Sequence, residues 1–187
     1  QMYSPTDLRK ETIIDLGGVP YKVVEYAQKQ MGRGGSIVNT KLKNLITGNV
    51  LDRTFRNDEH ISPADITREN VQYLYSSNDT LHFMNTETFE SVELQKSVDS
   101  NIVKYITEGG DIDALVFDGK IIGFEWPKNV ILKVSNTAGG DKGNSASSNT
   151  KQAILETGIS VAVPQFIKNG EMIKVDTRSG EYIERAK

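Results

Sequence analysis

The chain has no cysteine, only two histidines and a single tryptophan. Without cysteine there is no disulfide, no thiolate metal site and no thiol nucleophile, and the composition fits a reducing cytosol. His60 and His82 are well separated and have no carboxylate pattern beside them, so no metal site and no cofactor are expected. Aromatic residues are sparse, at 7%. That argues against a general OB-type binder of single-stranded nucleic acid, which needs aromatic and basic side chains interleaved on one surface. No run of about 18 apolar residues occurs, so no membrane span is expected. The N-terminal stretch also lacks the basic, apolar and small-residue succession of a signal peptide, and Met2, behind Gln1, is read as the native start.

What is present is ordinary in bulk and uneven in distribution. The 187 residues are 37% apolar and 25% charged, as in a typical globular protein. This length allows one or two domains, or three small modules of about 60 residues each. The net charge of −3 hides an asymmetry. Residues 1–65 carry 9 basic and 8 acidic side chains, residues 66–127 carry 4 and 11, and residues 128–187 carry 9 and 6. A phosphate backbone would therefore attract the two ends and repel the middle.

Nearly every segment reads as a short strand between turn signals. Tyr21–Tyr26 is β-branched and aromatic after Gly17-Gly18. From Ser36 to Leu45, residues Ile37, Asn39, Lys41 and Lys43 alternate with Val38, Thr40 and Leu42, which is closer to period two than to a helix. Val71–Tyr75 and Thr80–Met84 flank a turn at 76–79, and Asp118-Gly119 is a strong two-residue hairpin signal. Asn169-Gly170 and Ser179-Gly180 are read the same way. One helix is expected over residues 99–107, capped by Asp99 or Ser100 and stopped by Gly109-Gly110. The polar stretch 136–150 reads as a long loop. No exact internal repeat is evident. Breaks are expected near Ser62-Pro63 and Trp126-Pro127, where proline interrupts a ladder. The fold class is all-β.

The sharpest local feature is Met31-Gly32-Arg33-Gly34-Gly35-Ser36, placed between two strand-like runs. Three glycines around one arginine make a thin hairpin tip with a single long cation, able to enter a narrow RNA-lined space. The tip matches neither the P-loop nor the dinucleotide fingerprint. Lys41 and Lys43 share a strand face suited to phosphate contact. Trp126, between Phe124 and Pro127, suggests packing at a domain junction, and Asp111 with Asp113 shows no partner or cleft for acid–base work. With no nucleophile–base pair or metal set, an enzyme is not expected.

Residues 29–36, Lys-Gln-Met-Gly-Arg-Gly-Gly-Ser, followed by 41–48, Lys-Leu-Lys-Asn-Leu-Ile-Thr-Gly, resemble the first domain of the bacterial elongation factor P family. Tyr73-Leu74-Tyr75, His82-Phe83-Met84-Asn85 and Glu87-Thr88-Phe89-Glu90 are similar to its second domain. Lys151-Gln152-Ala153 through Val163-Pro164, and Lys174 through Tyr182, resemble its C-terminal signature. The resemblance implies three small β-barrel domains in an L shape that mimics tRNA. These would be an SH3/KOW-like domain over residues 1–65 with a tip loop at 31–36, and OB domains over 66–127 and 128–187. It implies a cytoplasmic, monomeric, non-enzymatic factor that binds the 70S ribosome between the P and E sites, beside the P-site peptidyl-tRNA. There it would promote peptide-bond formation at consecutive prolines by positioning the tRNA acceptor end.

The family likeness assigns roles residue by residue. Arg33, between Gly32 and Gly34 and followed by Gly35, stands where many relatives carry a modified lysine, and other branches rhamnosylate an arginine there. Lysine-directed chemistry is excluded, since it needs an ε-amine. An unmodified Arg33 is the reading adopted, with rhamnosylation by an arginine-modifying enzyme as the alternative. Lys142, Gly143, Asn144 and Ser145 match a loop of the third domain that approaches the small subunit and the E-site codon, with Asn144 and Ser145 replacing the usual Asp and Thr. Tyr182 and Arg185 match residues that relatives place against ribosome and tRNA. From the residues alone, Tyr182 reads as half-buried and Arg185 as solvated.

Overall fold

The computed structural model describes residues 2–139 and 149–187. The chain divides into two compact units, Gln1–Thr67 with Leu115–Gly123 and Arg68–Ala114 with Phe124–Lys187. It carries three five-stranded sheets. The first contains β1 (Ile13–Leu16), β2 (Val19–Gln30), β3 (Ser36–Asn44), β4 (Val50–Arg56) and β5 (Ser62–Pro63), in the order β4-β3-β2-β1-β5. The second contains β6 (Thr67–Ser77), β7 (Thr80–Asn85), β8 (Ser91–Gln95), β9 (Asp111–Phe117) and β10 (Lys120–Glu125), in the order β10-β9-β6-β7-β8. The third contains β11 (Asn129–Thr137), β12 (Thr150–Leu155), β13 (Ser160–Pro164), β14 (Met172–Asp176) and β15 (Tyr182–Arg185), in the order β13-β12-β11-β14-β15. Among the described residues no helix is long and apolar enough to cross a membrane.

The period-two pattern decides which way each strand faces. On β3, Val38, Thr40 and Leu42 are buried while Asn39, Lys41 and Lys43 are exposed. Thr40 sits on the buried face because its Oγ1 donates to the Arg53 carbonyl at 2.7 Å, so no polar group is left unpaired. Leu42 joins Leu8, Ile14, Val23, Phe55 and Ile61 in the first core, each large side chain contributing about 1.5–3 kcal/mol by leaving water. Ladder irregularities between Val23 and Glu25 and between Tyr73 and Tyr75 add local bend and twist, which helps a small sheet curl around its own core. In the second unit, Tyr73, Phe83 and Phe124 pack ring to ring, with centroids 5.6 and 5.4 Å apart. The third core gathers Leu132, Leu155, Ile167, Ile173 and Val175.

Several turns differ from expectation in detail. Asp118 and Gly119 both take positive φ, +51° and +76°, giving the two-residue hairpin the sequence signals. The β6–β7 turn is tighter than residues 76–79, because Ser77 and Thr80 pair and only Asn78-Asp79 remain between the strands. The helix shrinks to α1 (Ile102–Tyr105). The Asp99 carboxylate accepts the Asn101 N–H and the Trp126 Nε1–H, and Ile106 is already extended and buried. Asn169-Gly170 is not a two-residue hairpin, since Asn169 Oδ1 accepts the Thr137 N–H at 2.6 Å and so ties its loop to β11. The polar stretch is shorter at its flanks than residues 136–150, because β11 runs through Thr137 and β12 opens at Thr150.

Candidate functional site

The glycine-rich tip joins β2 to β3 and folds as a single 3-10 turn, Gly32–Gly34. The Met31 N–H donates to the Gly35 carbonyl and the Gly34 N–H to the Met31 carbonyl, both at 2.9 Å. Gly32 and Gly35 take φ of +46° and +80°, a region that side-chain-bearing residues enter only with strain. Gly34 differs: its φ is not positive, and an added Cβ would meet nothing within 4 Å. The described residues therefore give no packing reason for glycine at that position. Arg33 lies exposed at the apex, and Met31 beside it is 52% exposed.

The ladder sets further cations behind Arg33. Lys29 pairs with Ile37, and Ile37 pairs with Arg56, so Lys29 and Arg56 lie on one rung next to the tip. Among the described residues neither the Lys29 ammonium nor the Arg56 or Arg33 guanidinium meets a carboxylate within 4 Å, although the Arg56 backbone N–H donates to Glu59 Oε2 at 2.6 Å. The sequence reading missed Lys29 and Arg56, which become neighbours only through the pairing of three strands. Lys41 and Lys43 do share the exposed face, as expected. Lys41, however, lies between Glu25 on β2 and Asp52 on β4, in a shallow groove of about 330 Å³ also lined by Asn39, Arg53 and Thr54. That stretch of the face has mixed charge. Lys43 pairs across the strand with Lys22, whose ammonium meets Glu11 at 3.3 Å.

In the third sheet, Tyr182 is half-buried against the core. Arg185 is not simply solvated: its guanidinium lies 4.7 Å from the centre of the Phe166 ring and 3.4 Å from Glu171 Oε1. Lys142, Gly143, Asn144 and Ser145 fall outside the described residues.

The remaining candidates hold structural roles. His82 is half-buried on β7, stacked on Tyr75 with centroids 4.3 Å apart, and bonded through Nε2 to Ser77 Oγ at 2.9 Å. Asn70 Nδ2 donates to both Asp111 and Asp113. Trp126 packs edge-on against Tyr105, with centroids 6.1 Å apart, and donates to Asp99 at 2.6 Å. Among the described residues no group of three or more His, Asp or Glu could hold a metal ion. Asp176 accepts the N–H groups of Ser179 and Arg178, which holds its carboxyl below the ordinary carboxylate range.

Comparison with known proteins covers all three sheets. The model of the elongation factor P KOW-like domain matches residues 4–61, that of the elongation factor P OB domain residues 66–124, and that of the elongation factor P C-terminal domain residues 130–185. Elongation factor P of Moorella thermoacetica is 44% identical over 185 residues, covering 99% of this chain and all of that one. Its counterpart in Synechococcus sp. (strain JA-3-3Ab) is 43% identical over 184 residues, covering 98% of this chain and all of that one. The solved structure of eukaryotic translation initiation factor 5A from Methanococcus jannaschii overlays 67% of this chain and 90% of its own, with a TM-score of 0.49 and 18% identity. From its first sheet to its last, and at full length against curated relatives, this all-β chain belongs to the elongation factor P family of translation elongation factors.

Proposed function

We propose that this protein binds the ribosome between the P and E sites in the cytoplasm and speeds peptide-bond formation at consecutive prolines. The observation that carries the reading is the tip. Arg33 is exposed on a glycine backbone and has no carboxylate partner among the described residues, and Gly34 is a glycine that packing among the described residues does not require. With no side chain at Gly34, the backbone beside Arg33 stays thin enough to lie close against an outside surface. A narrow channel leading to the tRNA acceptor end is such a setting, and a planar guanidinium there offers a fork of donors to phosphate. Proline is a poor nucleophile and a constrained donor, so its reaction is limited by geometry. A factor that only positions the P-site tRNA can lower that barrier, and no acid, base or nucleophile of its own is needed.

Three modules carry the role: residues 1–65, which present the tip, then 66–127 and 128–187. Lys41 and Lys43, the loop at Lys142, Gly143, Asn144 and Ser145, and Tyr182 with Arg185 supply contacts to tRNA and ribosomal RNA. The protein acts as a monomer with Arg33 unmodified; if Arg33 is modified, an arginine-directed enzyme is the second partner. The test is translation of a reporter with three consecutive prolines in a reconstituted system. Wild-type protein from its own cells relieves the stall and Arg33→Ala does not. No relief by wild type on cognate ribosomes refutes the reading, and a mass increment on the Arg33 peptide refutes the unmodified tip.

A further inference from the structure

Three turns, one in each sheet, are built alike. In residues 44–49, Asn44 Oδ1 accepts the N–H groups of Ile46 and Thr47, the Asn49 N–H donates to Thr47 Oγ1, and the Gly48 N–H donates to the Asn44 carbonyl. In residues 85–90 the same bonds join Asn85 to Glu87, Thr88 and Phe89, and Glu90 to Thr88. In residues 176–181 they join Asp176 to Arg178, Ser179 and Gly180, and Glu181 to Ser179. The fifth position is left-handed in all three, with φ of +83°, +61° and +75°. Two of the turns place glycine there. The middle one places phenylalanine, a bulky side chain in a conformation that costs it steric strain and is held by the hydrogen bonds of the turn itself.

Nothing within the described residues accounts for that choice. Phe89 is 70% exposed and among the described residues its ring meets no other aromatic ring or cation. Its surroundings are acidic. Glu87 and Glu90 flank it in the turn, Glu69 meets the Asn85 amide at 3.4 Å, and Asn70, bonded to Thr86, holds both Asp111 and Asp113. Arg68, on the same end of β6, is engaged by Glu125. An exposed aromatic on a turn that carries Glu87 and Glu90, in a stretch otherwise acidic, is repelled by phosphate and complementary to a cationic rim around an apolar pocket.

We propose that Phe89 is a docking anchor that inserts into an apolar pocket on a basic protein of the ribosome, with Glu87 and Glu90 of the same turn facing the lysines and arginines at the pocket edge. The inference rests on the ribosomal reading above. Phe89→Gly restores the residue the other two turns use, so the anchor predicts an unusual pair of effects. The melting temperature of the free protein stays level or rises, while affinity for ribosomes with occupied P sites falls about tenfold, the scale of an aromatic hot spot. A benzophenone-bearing phenylalanine analogue at position 89 then cross-links to a ribosomal protein. Unchanged affinity of Phe89→Gly beside tight-binding wild type overturns the proposal. So does a drop in melting temperature of more than about 4 °C, which would make Phe89 a packing residue, and so does a cross-link confined to ribosomal RNA. Wild-type protein that fails to bind at all refutes the ribosomal reading itself, and this inference with it.

Discussion

Gly180 gives the sharpest test of how the third sheet is held to its neighbours in the same compact unit. It is the left-handed residue of the 176–181 turn, with φ of +75°, and a Cβ added there would lie 3.0 Å from the Tyr105 hydroxyl. Tyr105 cannot swing away cheaply, because it packs against the third core and edge-on against Trp126. Nearby, Thr157 Oγ1 donates to the Lys104 carbonyl at 2.5 Å and fixes the same helical turn. Gly180→Ala therefore meets two obstacles. The left-handed backbone costs about 1–2 kcal/mol for any residue with a Cβ, and the crowded hydroxyl adds about 0.5–1 kcal/mol, the scale of coupling between touching residues. Removing that hydroxyl with Tyr105→Phe should cancel the second part only. The assay is denaturant unfolding of the four proteins of the double-mutant cycle, followed by the fluorescence of Trp126, the only tryptophan and a direct neighbour of Tyr105. A coupling of about 0.5–1 kcal/mol is expected. Strict additivity would refute the claim that Tyr105 and the turn press on each other.

Two more predictions come from the same reasoning. Gly34→Ala has open space and no positive φ to satisfy, so its unfolding midpoint should stay within about 0.5 kcal/mol of wild type while relief of the triple-proline stall is lost; a mutant that folds and still relieves the stall would sever the link between a small tip and activity. Asp176 is held below the ordinary carboxylate range by the N–H groups of Ser179 and Arg178. The contribution of a group depressed in this way is present above its unfolded pKa and is lost as the pH falls through the folded value, so it should fade below about pH 4. Asp176→Asn keeps the turn, since asparagine fills that position in the other two sheets, and should flatten the acid limb of a melting-temperature profile; an unchanged acid limb would contradict the assignment.

The all-β class was legible because β3 and the Asp118-Gly119 hairpin obey simple local rules: alternation puts Val38 and Leu42 inside, and two residues tolerant of positive φ make the turn. The tip was legible as a chain reversal for a similar reason, because three glycines around one arginine stand between two strand-like runs. What the residues did not disclose depends on pairing across distance. Lys29 and Arg56 are 27 positions apart and become neighbours of the tip only through their shared partner Ile37. The repeated turn escaped notice because its identity lies in a hydrogen-bond pattern, with Asn or Asp, then Thr or Ser three residues later, then a left-handed residue. Three different hexapeptides satisfy it. The expected helix is longer than the observed one because Asp99 closes a turn onto the Asn101 N–H ahead of the helix and Ile106 is drawn into an extended, buried position at its end.

The β2–β3 hairpin also acts as a ruler. From Glu25 opposite Lys41 to Gln30 opposite Ser36, every paired set of positions closes on Arg33 as its midpoint. An insertion or deletion in one strand alone would push the arginine off the apex. Removing one residue from each strand would keep it central but invert which face each rung presents, because side chains alternate with a period of two. Only paired changes of two residues per strand, each moving the tip by about 7 Å, preserve both centring and face. The hairpin can thus change length only in coarse steps, which makes its length as much a part of the tip as the arginine itself.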